Sequence, residues 1–504
     1  MRKVWIWVLA LVFGLAGLAQ AASVELHGEF GVKVQTSNAW GMFEKSETPN
    51  LVKGLLGAYT NDAYKLDAQN GANSAWATTD AGVTLDTVKI NGNDVDLDDT
   101  WASLQFRLWA VAQSDDGKIK GTWAMEVGSL RFGENNNAGV DELVPRNEGE
   151  NIEVRQMSLE FALPFLQNLN LRLRAGLNPY YVNRFLWNET APGIDISGKF
   201  DLGNVPTSFV LVWVRGFDNT WLDNNEQNND FDAYAAVVAF DLSKVISAVD
   251  KAQAKVYYIP MNGQDGVRVP YGVNAGLWTD VQPYYLGGDA QFSYRGVDVD
   301  LGVIHMGGDA NDIHGNGKDV DFDGWLSYVD LGYQVNDQLR VSFLGWWASG
   351  DNNSTKGDVD SYIAVDTHTE GSVVLFEDGA FDDGYAVSSA PYLNQLGFQM
   401  YRLRVDYKAT PKLSLAAAVN YMKFDEDAKW VEDNGSRHSD DDIGWELDVY
   451  ANYELYNNLK VSLAAGYLWA GDALDAWADK DGDGLVDSSA DDMYRVSLGV
   501  TYTF

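Results

Sequence analysis

The chain of 504 residues contains no cysteine. That removes disulfides, thiolate metal sites, cysteine nucleophiles and a lipid-modified amino-terminal cysteine. Bases are few: 36 Lys and Arg stand against 73 Asp and Glu, for a net charge of −37. Phosphate binding needs a basic face, so nucleic acid is excluded as a partner. A surface of this sign suits water and divalent cations. The five histidines, His27, His305, His314, His368 and His438, are scattered with no metal-ligand spacing. No G-x-S-x-G element and no phosphate-cradling glycine loop precedes a helix, so nothing points to an enzyme. Long apolar runs are also scarce. Beyond Leu18 no segment reaches the ~18 uncharged apolar residues of a transmembrane helix. A chain this polar reads as soluble and exported, yet a membrane barrel hides its apolar face by alternation.

Arg2 and Lys3, the uncharged apolar stretch Val4 to Leu18, and Ala19-Gln20-Ala21 have the layout of a secretory signal with a small-residue cleavage site. The reading is a signal peptide over 1–21 and one domain over 22–504. A single anchoring helix is the alternative, and the apolar run is short for it. The 18 Trp and 25 Tyr are many for a disordered acidic chain.

In Tyr494-Arg495-Val496-Ser497-Leu498-Gly499-Val500-Thr501-Tyr502-Thr503-Phe504, even positions are apolar or aromatic and odd ones polar or glycine. A period of two means one greasy and one wet face. A half-buried strand of a soluble sandwich would show it too. A chain ending on an aromatic in this pattern resembles the terminal strand of outer-membrane barrels. The resemblance implies outer-membrane lipid and the barrel-assembly machinery as partners, in a Gram-negative-type cell. The alternation recurs in Trp445 to Leu455, Leu459 to Trp469, Leu413 to Tyr421 and Leu169 to Leu177. Short turns (Ser114 to Gly117, Pro164 to Asn168, Gly203 to Pro206, Arg295-Gly296, Val335 to Gln338) fall on one side. Long loops rich in Asn, Asp and Gly (217–230, 350–394, 425–441) fall on the other. That asymmetry belongs to outer-membrane barrels, and a soluble sandwich has no reason to keep it.

The pattern therefore predicts an all-β, transmembrane, antiparallel up-and-down barrel of 18 strands. They are placed near 24–36, 98–112, 118–132, 152–163, 169–178, 193–202, 207–216, 231–242, 253–260, 281–294, 297–307, 321–334, 338–349, 395–408, 412–424, 442–455, 458–470 and 492–504. Spans 193–202 and 253–260 are the least regular, which leaves 16 strands as the alternative. Trp40, Trp109, Trp187, Trp221, Trp346, Trp347, Tyr180, Tyr181, Tyr284 and Tyr285 lie near strand ends, as girdle rings or as loop packing.

Gly444-Trp445-Glu446-Leu447-Asp448-Val449-Tyr450, with Asn458-Leu459, Gly466-Tyr467-Leu468 and Gly471-Asp472, resembles the closing hairpins of large porins of the alginate-export type. Arg402-Leu403-Arg404-Val405-Asp406-Tyr407 and Pro411-Lys412-Leu413 are similar to the same group. The resemblance covers roughly 395–504. It implies an eighteen-stranded pore lined partly with arginine. It separates a large porin from other proteins well, and polysaccharide export from general diffusion poorly. Many porins are trimers and the alginate-type ones resemble monomers, so a homo-oligomer stays open.

On this phase Arg107, Arg172, Arg174, Arg340, Arg402, Arg404, Lys460 and Arg495 point inward, as do Glu446 and Asp448. Guanidinium groups bind carboxylates through two hydrogen bonds, so a ladder of them favours anions or acidic sugars. Glu160, Asp406 and Glu454 also point inward, and opposite charges across the lumen would simply pair and stiffen the wall. Leu396, Phe398 and Met400 use even positions whereas Leu403, Val405 and Tyr407 use odd ones, which predicts a bulge near Met400 or Tyr401. Loops 37–97 and 350–394 are too long for plain connections and are expected to fold into the mouth.

Asp479-Lys480-Asp481-Gly482-Asp483-Gly484-Leu485-Val486-Asp487 matches the start of an oxygen-ligand Ca2+ loop, with Asp479, Asp481, Asp483 and Asp487 as ligands. Its twelfth position is Ala490, where the helical version needs an acid, so a solvated acidic loop is the alternative. Asp319-Val320-Asp321-Phe322-Asp323-Gly324 has the same spacing but alternates like a strand. Three functions fit: a channel for passive diffusion of small hydrophilic solutes, with anions preferred; an export channel for an acidic polysaccharide; and a non-conducting surface scaffold or adhesion barrel.

Overall fold

The computed structural model describes residues 22–38, 87–90, 93–96, 99–132, 152–217, 231–263, 280–313, 318–351, 358–365, 367, 369, 371–376, 378–379, 396–480 and 485–504. The signal region 1–21 and most of loop 37–97 lie outside the described residues.

Eighteen strands build the wall. They are β1 (Ala22–Ser37), β2 (Asp99–Ser114), β3 (Ile119–Arg131), β4 (Glu153–Ala162), β5 (Arg172–Asn183) and β6 (Trp187–Leu202). There follow β7 (Val205–Phe217), β8 (Phe231–Asp241), β9 (Lys251–Gly263), β10 (Asp280–Tyr294), β11 (Val297–Ile313) and β12 (Lys318–Gln334). The last six are β13 (Leu339–Ala348), β14 (Phe398–Thr410), β15 (Leu413–Val431), β16 (Arg437–Tyr456), β17 (Leu459–Ala470) and β18 (Met493–Thr503). Each pairs antiparallel with its sequence neighbours, and β1 closes on β18, with Glu29 opposite Thr503 and Ser37 opposite Arg495. The two least regular spans are real strands, β6 and β9, and both are longer than expected. Closure leaves the wall no free edge, the condition for backbone to cross lipid.

One rim carries the short turns. Arg295 and Gly296, at φ 48° and 81°, form the two-residue turn between β10 and β11, a left-handed pair that matches strand twist. The outer face carries the apolar residues. On β18, Leu498, Val500 and Tyr502 are exposed while Arg495, Ser497 and Thr501 are buried on the inner side. On β12 the exposed outward rings Trp325 and Tyr333 bracket the apolar stretch. At about 3.4 Å per residue and a tilt of about 40°, that stretch spans roughly 20 Å of bilayer height. Tyr258, Tyr284, His305 and Trp325 form an outer belt with successive centroids 5.9, 5.9 and 4.4 Å apart. Tyr401, Tyr421 and Trp445 continue it at 6.4 and 4.8 Å. Amphipathic rings favour this headgroup level.

Several expectations change. Loop 425–441 is mostly strand: β15 and β16 run on above the belt, with Ala428 opposite Asp440 and Val431 opposite Arg437. The bulge near Met400 is absent, because Ala348 to Leu339 pair with Phe398 to Tyr407 without a shift. Phe398 and Met400 share the inner face with Arg402 and are fully buried there. Of the proposed girdle rings, Trp187, Trp346, Tyr180 and Tyr285 are buried inside the barrel, Tyr284 is on the outer belt, and Trp40 and Trp221 lie outside the described residues.

Candidate functional site: the lumen and its constriction

The inner face changes character with height. Near the short-turn rim it is polar and its charges are paired. Arg107 Nε donates to Glu126 Oε2 at 2.8 Å, and Arg155 Nε stands 3.4 Å from the same oxygen. Arg174 Nε meets Asp195 Oδ2 at 2.7 Å, and Arg340 meets Asp298 Oδ2 at 2.6 Å. Arg172 pairs with Glu160, and Arg404 Nε donates to Asp406 Oδ1 at 2.9 Å. Arg402 donates to Asp378 Oδ2 at 3.3 Å and to Tyr450 Oη at 3.1 Å. Arg340 and Arg404 do share one wall with Arg402, on the adjacent strands β13 and β14, at descending heights. Lys460 is exposed at the base of β17 opposite Glu454, and Arg495 is buried on the inner face of β18.

The other half of the lumen is apolar. Inward positions of β9 to β14 pass from Lys255, Asp289, Asp300, Asp330 and Arg340 below to Ile259, Tyr285, Ile304, Leu326, Trp346 and Phe398 above. Two segments fold into the barrel to cover that apolar wall. The first is the end of the β5–β6 hairpin. Pairing of β5 with β4 stops at Leu177, and pairing of β6 with β7 begins at Gly193, so residues 178–192 leave the wall together. Phe185 and Leu186 at its tip are fully buried. The Phe185 ring lies 5.0 Å from both Tyr328 and Trp346. Polar bonds pin the tip: Asn183 Nδ2 donates to Asp289 Oδ2 (3.2 Å), Arg184 pairs with Asp330 (3.2 Å), and Lys255 donates to the Val182 carbonyl. Gly302 makes room below it, since a Cβ there would fall 2.5 Å from the Tyr328 ring.

The second is a strap from loop 350–394, described at 358–365, 367, 369, 371–376 and 378–379. Asp358–Val359 add a two-residue parallel strand to β12. Tyr362 Oη donates to the Phe185 carbonyl (2.6 Å), Tyr285 Oη to the Ile363 carbonyl (2.8 Å), and Val365 N to the Leu186 carbonyl (2.9 Å). Phe376 packs edge-on against Trp346, with centroids 5.5 Å apart. Beyond it the strap reaches β16: Val374 N donates to Glu446 Oε1 (2.8 Å) and Val373 N to Asp448 Oδ1 (3.2 Å). The strap thus runs from the β10–β12 wall to β16. A polar cavity of about 560 Å³ lies below the hairpin, between the β4–β5 turn and the β6–β10 wall, with Asn170, Lys199, Asp241, Gln253, Lys255 and Asp289 among its lining.

Of the four calcium-loop residues, Asp481 and Asp483 lie outside the described residues. Asp479 and Asp487 are described, and Asp487 Oδ1 accepts the Lys480 N–H at 3.1 Å. Among the described residues no group of three or more His, Asp or Glu is placed to hold a metal. Asp321 and Asp323 stand exposed on the outward side of β12, where Asp323 accepts from Trp325 Nε1 at 3.0 Å. The alternation rule missed Arg155, Arg184, Arg215 and Lys255. It also missed the apolar inner wall, whose signal is the unbroken apolar run, as in Phe343-Leu344-Gly345-Trp346-Trp347-Ala348. A strand covered on both faces reads this way.

A closed eighteen-stranded wall, apolar outside and polar along its lower lumen, defines a transmembrane antiparallel β-barrel. No protein-family model matches the chain, and no curated protein matches it in sequence. Among solved structures it is similar to Pseudomonas aeruginosa OccK9 (OpdG), with 12% identity, TM-score 0.47, and 96% of this chain and 98% of that one covered. It is similar also to P. aeruginosa OccK5 (OpdH), at 9% and 0.44 over 95% and 98%. The outer membrane channel DcaP of Acinetobacter baumannii is a third, at 13% and 0.37 over 96% and 98%.

Proposed function

We propose that the protein is a channel for passive diffusion of small hydrophilic solutes, narrowed from one side by the hairpin and the strap. The observation that carries this is the division of the lumen. The two inserted segments cover the apolar wall of β9 to β14, while polar residues such as Gln105, Glu126, Ser462 and Ser497 occupy the inner side of β2, β3, β17 and β18. Water and solutes follow the polar side. Anion preference is the finer form of the reading. At least six of the eight expected cations are paired to carboxylates, so the preference is modest. Export of an acidic polysaccharide, the reading tied to the alginate-type resemblance, would need a file of unpaired guanidinium groups, so diffusion is favoured over it. We assign Asp479, Asp481, Asp483 and Asp487 to a structural Ca2+ loop beside the β17–β18 connection. We also assign the first 21 residues to a cleaved signal and the β18 end to recognition by the barrel-assembly machinery.

The test is single-channel current in a planar bilayer under a salt gradient. Steady conductance with a small anion-selective reversal potential is expected. Absence of conductance would refute the channel and favour a scaffold barrel, and cation selectivity would refute the anion preference.

A further inference from the structure

The row of inward side chains just below the inserted hairpin is uneven. Cross-strand pairing sets Lys199 of β6, Ser208 of β7, Ala239 of β8, Lys255 of β9 and Asp289 of β10 side by side at one height. Long side chains stand at the flanks, and the short ones of Ser208 and Ala239 lie between them. At about 4.8 Å per strand the two lysines are rooted roughly 14 Å apart, and the wall between them is hollow. This is the cavity of about 560 Å³, a volume that suits a small molecule. The hairpin lies above it, where Lys255 donates to the Val182 carbonyl and Asn183 to Asp289. One row lower Asp201, Asp241 and Gln253 edge it, and the β4–β5 turn brings in Asn168 and Asn170, the latter at φ 46°.

Elsewhere in the lower lumen Arg107, Arg172, Arg174, Arg340 and Arg404 are each matched to a carboxylate. Around this cavity the polar groups are left open. Lys255 is paired with Asp289 at 3.1 Å, and Asp241 accepts the Ser243 N–H. Among the described residues no hydrogen bond or ion pair engages the side chains of Lys199, Asp201, Gln253, Asn168 or Asn170. Water satisfies such groups until a solute with matching ones displaces it.

The signs decide which solute that is. An anion drawn to Lys199 meets the carboxylates of Asp201, Asp241 and Asp289. A cation drawn to those carboxylates meets Lys199, Lys255 and, from the β8–β9 turn, Lys244, which acts on Asp241. Neither sign of charge gains a net attraction. A neutral polyhydroxylated solute uses both, because each hydroxyl donates a hydrogen and accepts through its oxygen. The carboxylates take the hydrogens, the Lys199 ammonium takes the oxygens, and the amides of Gln253, Asn168 and Asn170 do either. Phe200 and Phe240 alternate with the inward residues of β6 and β8 and so turn their rings away, Phe200 onto Phe209 at 6.2 Å. Recognition therefore rests on hydrogen bonds exchanged against water, each of small net value. Weak holding suits a passage that the solute must also leave.

We propose that this cavity is a subsite for a neutral sugar of one or two rings, on the short-turn side of the constriction. The inference deepens the channel reading and rests on it for transport, while binding is measured apart from conductance.

The experiment follows sucrose binding to the full chain in lipid nanodiscs by saturation-transfer NMR, beside single-channel current with sucrose in the bath. Wild type should give a saturable signal in the millimolar range. Lys199→Met and Gln253→Leu should each weaken binding roughly two- to tenfold. Ala239→Phe fills the hollow and should abolish binding while heat-modifiable gel mobility is kept. Sucrose that does not saturate in wild type, or that binds Ala239→Phe unchanged, would refute the subsite. Displacement of sucrose by succinate or ethylammonium at lower concentration than by glucose would refute the neutral class. Should Ala239→Phe not assemble, the double variant Lys199→Met with Gln253→Leu carries the test, and unchanged affinity there refutes the subsite. Saturable binding in a protein without conductance would refute the channel and leave the subsite standing. Conductance without saturable binding would do the reverse.

Discussion

Replacing Phe185 by alanine should free the β5–β6 hairpin from the lumen without disturbing the wall. The ring is fully buried, lies 5.0 Å from Tyr328 and from Trp346, and carries the Arg184 guanidinium 5.0 Å above it. Its neighbours are held by the wall, so the vacated space cannot collapse, and such a Phe→Ala change costs about 3–5 kcal/mol. The loss falls on docking of the hairpin alone, because residues 178–192 form no ladder with β4 or β7. At ~1.4 kcal/mol per power of ten, the released population rises by roughly two to three and a half powers of ten. Trypsin reads that population directly. Arg184 lies at the hairpin tip, salt-bridged to Asp330 at 3.2 Å while docked. Its bond is cleavable only when the tip swings out, and cleavage then tracks the open fraction. The variant in lipid should be nicked after Arg184 on the order of a hundred times faster than wild type, with its heat-modifiable gel mobility kept. Equal nicking rates would refute inward packing of the hairpin. Loss of the folded band together with nicking would show that the hairpin supports the wall itself.

Three further outcomes are expected. At the closing seam Gly28 and Phe504 exchange backbone hydrogen bonds of 3.0 Å, and a Cβ on Gly28 would lie 2.2 Å from the Phe504 ring. Gly28→Val should therefore slow assembly into vesicles, followed by the heat-modifiable band, and an unchanged rate would contradict the seam. Asp116, in the β2–β3 turn, is bonded by the side chain and the N–H of Lys118 and by Ser114, which hold its carboxyl down to about 2. A lowered folded value means stabilisation present above the ordinary carboxylate range and lost as pH falls through about 2. The Asp116 carboxyl 13C shift should titrate there, and a midpoint near 4, as in model peptides, would refute the turn. Chelation by EDTA should lower protection of the 479–487 segment in hydrogen exchange, and Asp481→Asn should abolish the response to added Ca2+; a segment indifferent to both would be a solvated acidic loop.

Strand positions were legible because most of the wall obeys one rule, apolar toward lipid and polar toward water. The eighteen expected spans each fall on a strand, including β6 and β9 where the alternation is faint. The rule fails where its premise fails. Phe398 and Met400 face inward in step with Arg402, yet they are apolar because the strap dries that wall. The pattern therefore imitated a bulge. The extension of β15 and β16 above the belt was hidden for the opposite reason. Ala428 and Trp430 are buried on one face of the β15 extension, but the acidic run Asp440, Asp441 and Asp442 of β16 reads as a loop. The partners of the inward arginines were half visible, since Arg174 and Asp195 or Arg107 and Glu126 are cross-strand neighbours once the register is known. Asp378 and Arg402, or Arg184 and Asp330, meet through segments folded across the lumen, and no local spacing announces that.

The change of the inner wall with height sets what the chain can tolerate. At Ile304, Leu326 or Trp346 a strand residue lies between lipid-facing neighbours on one side and the packed inserts on the other, and volume there is constrained as in the middle of a soluble protein. A few residues along the same strands, at Asp300, Asp330 or Arg340, the wall meets water. In a comprehensive substitution scan, tolerance would thus be drawn as a contour around the barrel at mid-height, cutting across every strand from β9 to β14, and not as a contrast between one strand and the next.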